Sequence, residues 1–184
     1  INGDGKINDD DQVPIGYSNF PEIMYGISLG GSYKNLDISL LFQGATHVSN
    51  MPSRRIMRGF YEYTGANRDL LKSWSYERFV NNQKIVYPRY GVNGVGHNYL
   101  TSTYWLEDAS YLRLKNVEVG YTFRQESLKK AGIGSIRIYV NGSNLLTWTD
   151  MLPGQDPEVA NAGVTNSEPY PVTRVFNFGL NVNF

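Results

Sequence analysis

From Arg174 to Phe184 the chain alternates without a break: Phe176, Phe178, Leu180, Val182 and Phe184 fall on one face, Val175, Asn177, Gly179, Asn181 and Asn183 on the other. Strand side chains point to opposite faces with period two, so residues 171–184 predict a strand with one apolar side and one small, polar side. A half-buried strand of a water-soluble sheet carries the same signature. Repetition separates the two readings. Met24 to Tyr33 sets Tyr25, Ile27, Leu29 and Tyr33 against Gly26, Ser28, Gly30 and Ser32. After a Lys34-Asn35 turn, Leu36, Ile38, Leu40 and Phe42 oppose Asp37, Ser39, Leu41 and Gln43. Tyr111 to Phe123 and Ser135 to Trp148 repeat the pattern, with Val117, Val119, Tyr121, Phe123, Ile136, Ile138 and Val140 on the apolar side. Asn116, Glu118, Gly120, Thr122, Arg137, Tyr139 and Asn141 lie on the other. A small, polar face repeated in five strands makes a poor core. It suits a watery lumen, with the apolar face towards lipid.

The predicted fold class is therefore all-β: antiparallel strands of a large transmembrane β-barrel with long extracellular loops. The terminal strand matches the roughly 9–11 residues a tilted strand needs to cross a bilayer. Short connections alternate with long ones, and membrane barrels place the long ones outside the cell. The chain divides into a calcium-type loop (1–12), a strand hairpin (24–46), a long extracellular loop (47–106), a second hairpin (110–148), another extracellular loop (149–170) and the terminal strand (171–184). Within the long loop, Ala66 to Phe79 predicts an amphipathic helix burying Leu70, Leu71, Trp74 and Phe79.

Composition narrows the functional classes. The 17 basic and 17 acidic side chains cancel, so no basic stripe invites nucleic acid. Charged residues make up 18%, below the roughly 25% of ordinary soluble domains. The 14 tyrosines suit membrane interfaces, where one end of the ring is apolar and the other wet. Cysteine is absent, which excludes disulfide scaffolds, thiolate metal sites and cysteine nucleophiles. No run approaches the ~18 apolar residues of a transmembrane helix.

INGDGKINDDD at the start follows the calcium-loop spacing, in which oxygen donors occupy positions 1, 3, 5, 7, 9 and 12 around a glycine at 6. Asn2, Asp4, Lys6 through its carbonyl, Asn8 and Asp11 take positions 3, 5, 7, 9 and 12. Position 1 would precede Ile1, so the polypeptide is expected to continue upstream. The closing ligand is Asp rather than Glu, which shortens its reach. The competing account is an Asn-Gly/Asp-Gly turn with a solvated acidic run.

With these segments in hand, the chain resembles the SusC/RagA-type TonB-dependent transporters of Bacteroidetes outer membranes. The resemblance rests on NGDGKIN (2–8), YGISLGGSYKNLDISLLFQG (25–44), WLEDASYLRLKNVEVGYTF (105–123), RIYVNGSNLLTWTDMLPGQDPE (137–158) and YPVTRVFNFGLNVNF (170–184). It implies the C-terminal part of a barrel of about 22 strands with a plugged lumen, located in the outer membrane. It also implies import of oligosaccharides or peptides, driven by TonB through an upstream segment, beneath a SusD-like surface lipoprotein. Phe184 resembles the aromatic end of the barrel-insertion signal.

No catalytic constellation is visible, and the expectation is a protein that is not an enzyme. His47 and His97 are far apart in sequence and lack metal-ligand partners at hairpin or helical spacing. Candidate substrate contacts come from the long loop: Arg54, Arg55, Tyr61, Trp74, Tyr76 and Tyr99, with Arg58, Tyr63, Tyr90, Asn98, Tyr104 and Trp105 near them in sequence. Aromatic faces with polar edges suit sugars or peptides, and loop packing is the plainer role for most of them. Glu107-Asp108 and Asp156 to Glu158 could ligate an ion or meet the lipoprotein; solvated turns are the simpler account. The alternative function is a secreted calcium-binding β-sandwich module, which needs an apolar core face on both sheets. A hydrolase barrel needs an acid/base pair or triad at the lumen edge, and none is evident.

Overall fold

The structure, a computed structural model, describes residues 3–6, 8–61, 65–66, 68–91, 96–152, 154–159 and 170–184. Its strands are β1 (Ile23–Tyr33), β2 (Leu36–Thr46), β3 (Ser49–Asn50), β4 (Glu107–Asp108), β5 (Tyr111–Phe123), β6 (Ser135–Thr149) and β7 (Val175–Asn183). The five long ones form a single antiparallel sheet in the order β1-β2-β5-β6-β7, while β3 and β4 pair with each other. Two compact units result, a sheet unit (Tyr17–Ser49, Asp108–Ala162, Pro169–Phe184) and a loop unit centred on Asn50–Glu107.

In the sheet unit, register carries the alternation from strand to strand. Ile38 faces Val119, which faces Val140, which faces Phe178, so one apolar row runs across four strands. The row is bare: Ile38 is 43% exposed and Phe178 80%. The β1–β2 turn takes left-handed backbone at Lys34 (φ 55°). That conformation matches the twist of the strands it joins.

One slip in the alternation has a structural answer. Leu112 and Leu114 are two apart, as are Val117, Val119, Tyr121 and Phe123, but the two series are out of phase. Leu41 pairs with Asn116 and Phe42 with Leu114, which leaves Lys115 as an extra residue on β5. This β-bulge absorbs the phase shift and keeps both series on the apolar face.

Three large side chains lie over glycines of a neighbouring strand. Tyr25 covers Gly44 and its hydroxyl donates to the Tyr111 carbonyl (3.1 Å). Tyr139 covers Gly179, and Arg137 covers Gly120. A Cβ at Gly44, Gly179 or Gly120 would sit 2.5, 2.1 or 2.3 Å from the covering group, closer than van der Waals contact allows. The unit's small apolar cluster, Val48, Ala109 and Met151, sits at the strand ends.

The loop unit holds α1 (Arg54–Met57), a 3-10 turn (Arg68–Lys72), α2 (Tyr76–Val80) and a second 3-10 turn (Gly96–Tyr99). The sheet unit adds α3 (Glu126–Lys130). The helix expected over Ala66–Phe79 is not continuous. Ser73 donates its hydroxyl to the Leu70 carbonyl (2.7 Å), and the backbone at 72–74 bonds instead to 86–87, through Val86 N–H to Lys72 (2.9 Å) and Trp74 N–H to Tyr87 (2.8 Å). Extended pairing replaces the helical bonds there. Leu71, Trp74 and Phe79, expected to be buried, are 72%, 39% and 61% exposed. The core of this unit is Met57, Tyr87, Tyr99 and Trp105.

Candidate functional site

The small, polar face of the sheet carries separate hydrogen-bonded groups of side chains. Arg137 on β6 passes over Gly120 on β5 to bind Asp37 on β2, its Nε donating to Oδ1 at 3.1 Å. Its Nη2 donates to the second Asp37 oxygen and to Glu118 (2.8 Å). Asn177 donates to Asn141 (2.8 Å) and Ser143 to Asn116 (2.7 Å). Every sequence-predicted inward residue named here lies on this face, and Asp37, Glu118 and Arg137 form one cluster.

At the other end of β5 sits a group that the alternation does not single out. Arg113, 2% exposed, donates to Thr147 Oγ1 (2.9 Å), Asp156 (2.6 Å) and Glu158 (2.5 Å). The bulged Lys115 joins through Glu158 (2.6 Å). Asp156 Oδ2 also accepts the Val172 amide (3.1 Å). The simpler account of Asp156 and Glu158 as solvated turn residues is thus corrected: both are spent on β5. A buried guanidinium is tolerated only when its donors are met, and two carboxylates, a hydroxyl and the Tyr111 ring face (5.7 Å) meet them. The arrangement pins the segment after β6 against the small, polar face. Nearby, Asp108 accepts the Ser110 amide (2.8 Å), and Ser110's hydrogen bonds hold its carboxyl below the usual carboxylate range.

In the loop unit the predicted aromatic and basic residues separate by burial. Tyr99 is buried and stacks on Trp105 (6.1 Å), which also meets Tyr87 (5.7 Å) and Tyr104 (5.1 Å). Arg58 lies over the rings of Tyr61 (5.3 Å) and Tyr99 (5.6 Å), which brings those two candidates to one cation. Arg54 and Arg55 belong to α1, and Arg54, Trp74 and Tyr76 are exposed. Tyr90 donates to the Gly59 carbonyl (3.0 Å) and Trp105 to Asn98 (2.8 Å). Burial pushes the phenols of Tyr87, Tyr99 and Tyr104 up from their ordinary value, with Arg58 drawing Tyr99 partly back. Tyr63 lies outside the described residues.

Of the calcium-type donors, Asn2 lies outside the described residues. Asp4 accepts the Lys6 amide (2.7 Å), Asn8 Oδ1 accepts the Asp10 amide (2.9 Å) and Asp11 accepts the Asn8 amide (3.1 Å). These are turn and capping bonds that leave further lone pairs on each carboxylate. Among the described residues, no three His, Asp or Glu side chains gather at metal-binding distance.

No family model matches the chain. Along its whole length it is similar to TonB-dependent receptor P3 of Formosa agariphila, 33% identical and covering 18% of that protein. It is likewise similar to TonB-dependent receptor SusC of Bacteroides thetaiotaomicron, 26% identical and covering 17% of it. The chain therefore spans under a fifth of these relatives. In three dimensions, 97% of it is similar to 19% of a chain in the RagAB peptide transporter (TM-score 0.71, 28% identity) and in the RagAB peptide importer's open-open state (TM-score 0.68, 26% identity).

Proposed function

We propose, for a chain that belongs to the SusC/RagA-type TonB-dependent receptors, that it serves as wall and surface loop of an outer-membrane importer. The observation that carries this reading is the sheet itself. Its apolar face is uncovered, with Ile27, Leu29, Ile138, Phe176 and Leu180 between 49% and 61% exposed, while its other face is small, polar and ion-paired. An uncovered apolar surface on this scale wants lipid or a partner, and alternation with a polar inner face is what a barrel wall needs. A secreted β-sandwich would bury that same face against a second sheet, and among the described residues no second sheet covers it.

On this reading the importer moves oligosaccharides or peptides beneath a SusD-like surface lipoprotein, with TonB supplying the energy through another part of the receptor. Calcium is part of the proposal: the spacing of Asn2, Asp4, Lys6, Asn8 and Asp11 supports it. Asp11→Asn should then abolish any calcium-dependent rise in the receptor's melting temperature.

The test of the wall uses the absence of cysteine in this stretch. Single cysteines at Ile138 and Phe178 should react with a bilayer-dissolved maleimide, and those at Asn141 and Asn177 only with a water-soluble one. The reverse pattern would defeat the proposal.

A further inference from the structure

The loop unit contains a cavity of about 520 Å³ lined by Arg68, Asp69, Leu71, Lys72, Arg78 and Lys84. Four cations face one carboxylate, a local excess of three (four minus one), in a chain with 17 basic and 17 acidic residues overall. Lys72 is spent on Asp69, its Nζ donating at 2.5 Å. Among the described residues the side chains of Arg68, Arg78 and Lys84 have no partner. Unpaired like charges repel, and a concavity lined by them draws an anion in to complete them. The lining is also held in place. The 3-10 turn Arg68–Lys72 is tied to 86–87 by backbone bonds, Ser75 caps α2 through the Arg78 amide (3.2 Å), and the Gln83 amide returns to the Arg78 carbonyl (2.9 Å).

We infer that this cavity binds the acidic groups of an oligosaccharide, either carboxylates or sulfate esters, and so selects anionic cargo for the importer. The inference rests on the importer reading above. Arginine forks match planar or tetrahedral oxyanions and lysines act as point charges, so the two arginines and two lysines here suit either anion. An acidic peptide fits less well. Extended peptides are held by a free strand edge or an apolar groove, but the strand-like backbone at 72–74 is already bonded to 86–87, and Leu71 is the cavity's one large apolar side chain. Trp74 and Tyr76, close by in sequence and exposed, offer ring faces of the kind sugars lie against.

The experiment is calorimetric titration of the whole purified receptor with oligogalacturonate, a sulfated galactan oligosaccharide, a neutral galactan of equal length, oligoglutamate and inorganic phosphate. One or both acidic saccharides should bind at least about tenfold tighter than the neutral one, with the margin shrinking as salt rises. Arg68→Gln, Arg78→Gln and Lys84→Gln combined should remove the margin, and Arg68→Lys with Arg78→Lys should keep most of it. The charged saccharide that keeps the margin tells carboxylate from sulfate. A neutral preference, an unchanged triple glutamine variant, tighter binding of oligoglutamate, or phosphate matching the saccharides would each overturn the inference. Uptake is measured in parallel with and without TonB. Loss of the acid margin with TonB-dependent uptake intact overturns this site alone, and uptake that ignores TonB overturns the importer reading beneath it.

Discussion

Arg137 reaches Asp37 across the bare backbone of Gly120, so two residues a full strand apart are joined over the one between them. The contact needs three strands in correct register at once. It therefore reports on the sheet's pairing, and alanine at Gly120 is the sharpest way to break it. Gly120→Ala puts a Cβ 2.3 Å from Arg137 Nη2, which must withdraw and give up Asp37. The receptor's melting temperature should fall. Gly31→Ala, where a Cβ meets nothing within 4 Å, should change stability by less than about 0.5 kcal/mol.

Arg113 is the buried ion on which the segment after β6 depends. Arg113→Met leaves Asp156 with only the Glu158 and Val172 amides and Glu158 with only Lys115, and stranding a buried charge costs about 3–5 kcal/mol. The expected outcome is a lower melting temperature together with new protease cleavage between Asp150 and Glu158. Arg113→Lys should restore little, since an ammonium cannot reach Thr147, Asp156 and Glu158 together as the fork does. Unchanged proteolysis in Arg113→Met would contradict this.

Two tyrosines of the loop unit should respond oppositely to loss of the hydroxyl. Tyr87 is 2% exposed and its hydroxyl has no partner among the described residues. Tyr87→Phe should therefore be neutral or stabilising. Tyr104 donates to the Val86 carbonyl at 2.7 Å, and Tyr104→Phe should cost about 0.5–1.5 kcal/mol. Denaturant or thermal midpoints of the two variants measure the difference.

Alkaline pH should loosen the loop unit. Tyr87, Tyr99 and Tyr104 have their phenols raised above 10.0 by burial, so the folded state favours the neutral form. That contribution is complete below the unfolded value near 10 and is lost as pH rises through the higher folded values. Tyrosinate absorbance should show a late-titrating class that Tyr87→Phe and Tyr99→Phe diminish. Simple titration near 10 by every tyrosine would exclude it.

The sheet was legible in the sequence because a period of two needs no knowledge of distant residues. Even the bulge left a trace, since Leu114 and Val117 are one step out of phase and Lys115 is the residue to spare. The loop unit was not legible. Whether residues 66–79 form one helix depends on where 86–87 lie, and no local propensity contains that. Arg113 was not legible as an inward residue, because unbroken alternation puts it in phase with Val117 and Val119 and its partners are 43 and 45 residues away on an unpatterned segment. Of the cations at 68, 72, 78 and 84 only the first two share a helical spacing, and all four line one cavity because the chain turns back on itself between them. Of the expected contact residues, Tyr61 and Tyr99 meet through Arg58, a relation fixed by packing around Trp105.

The large-over-glycine contacts also limit how this wall can change over generations. A bulkier residue at Gly120 or Gly179 is harmful while Arg137 or Tyr139 stays large, and shrinking the cover first leaves a hole above a glycine. Neither member can drift alone without crossing a less fit intermediate. Each pair should therefore be inherited and exchanged as one two-site character, so that among diverging descendants the identity at one position foretells the size at the other.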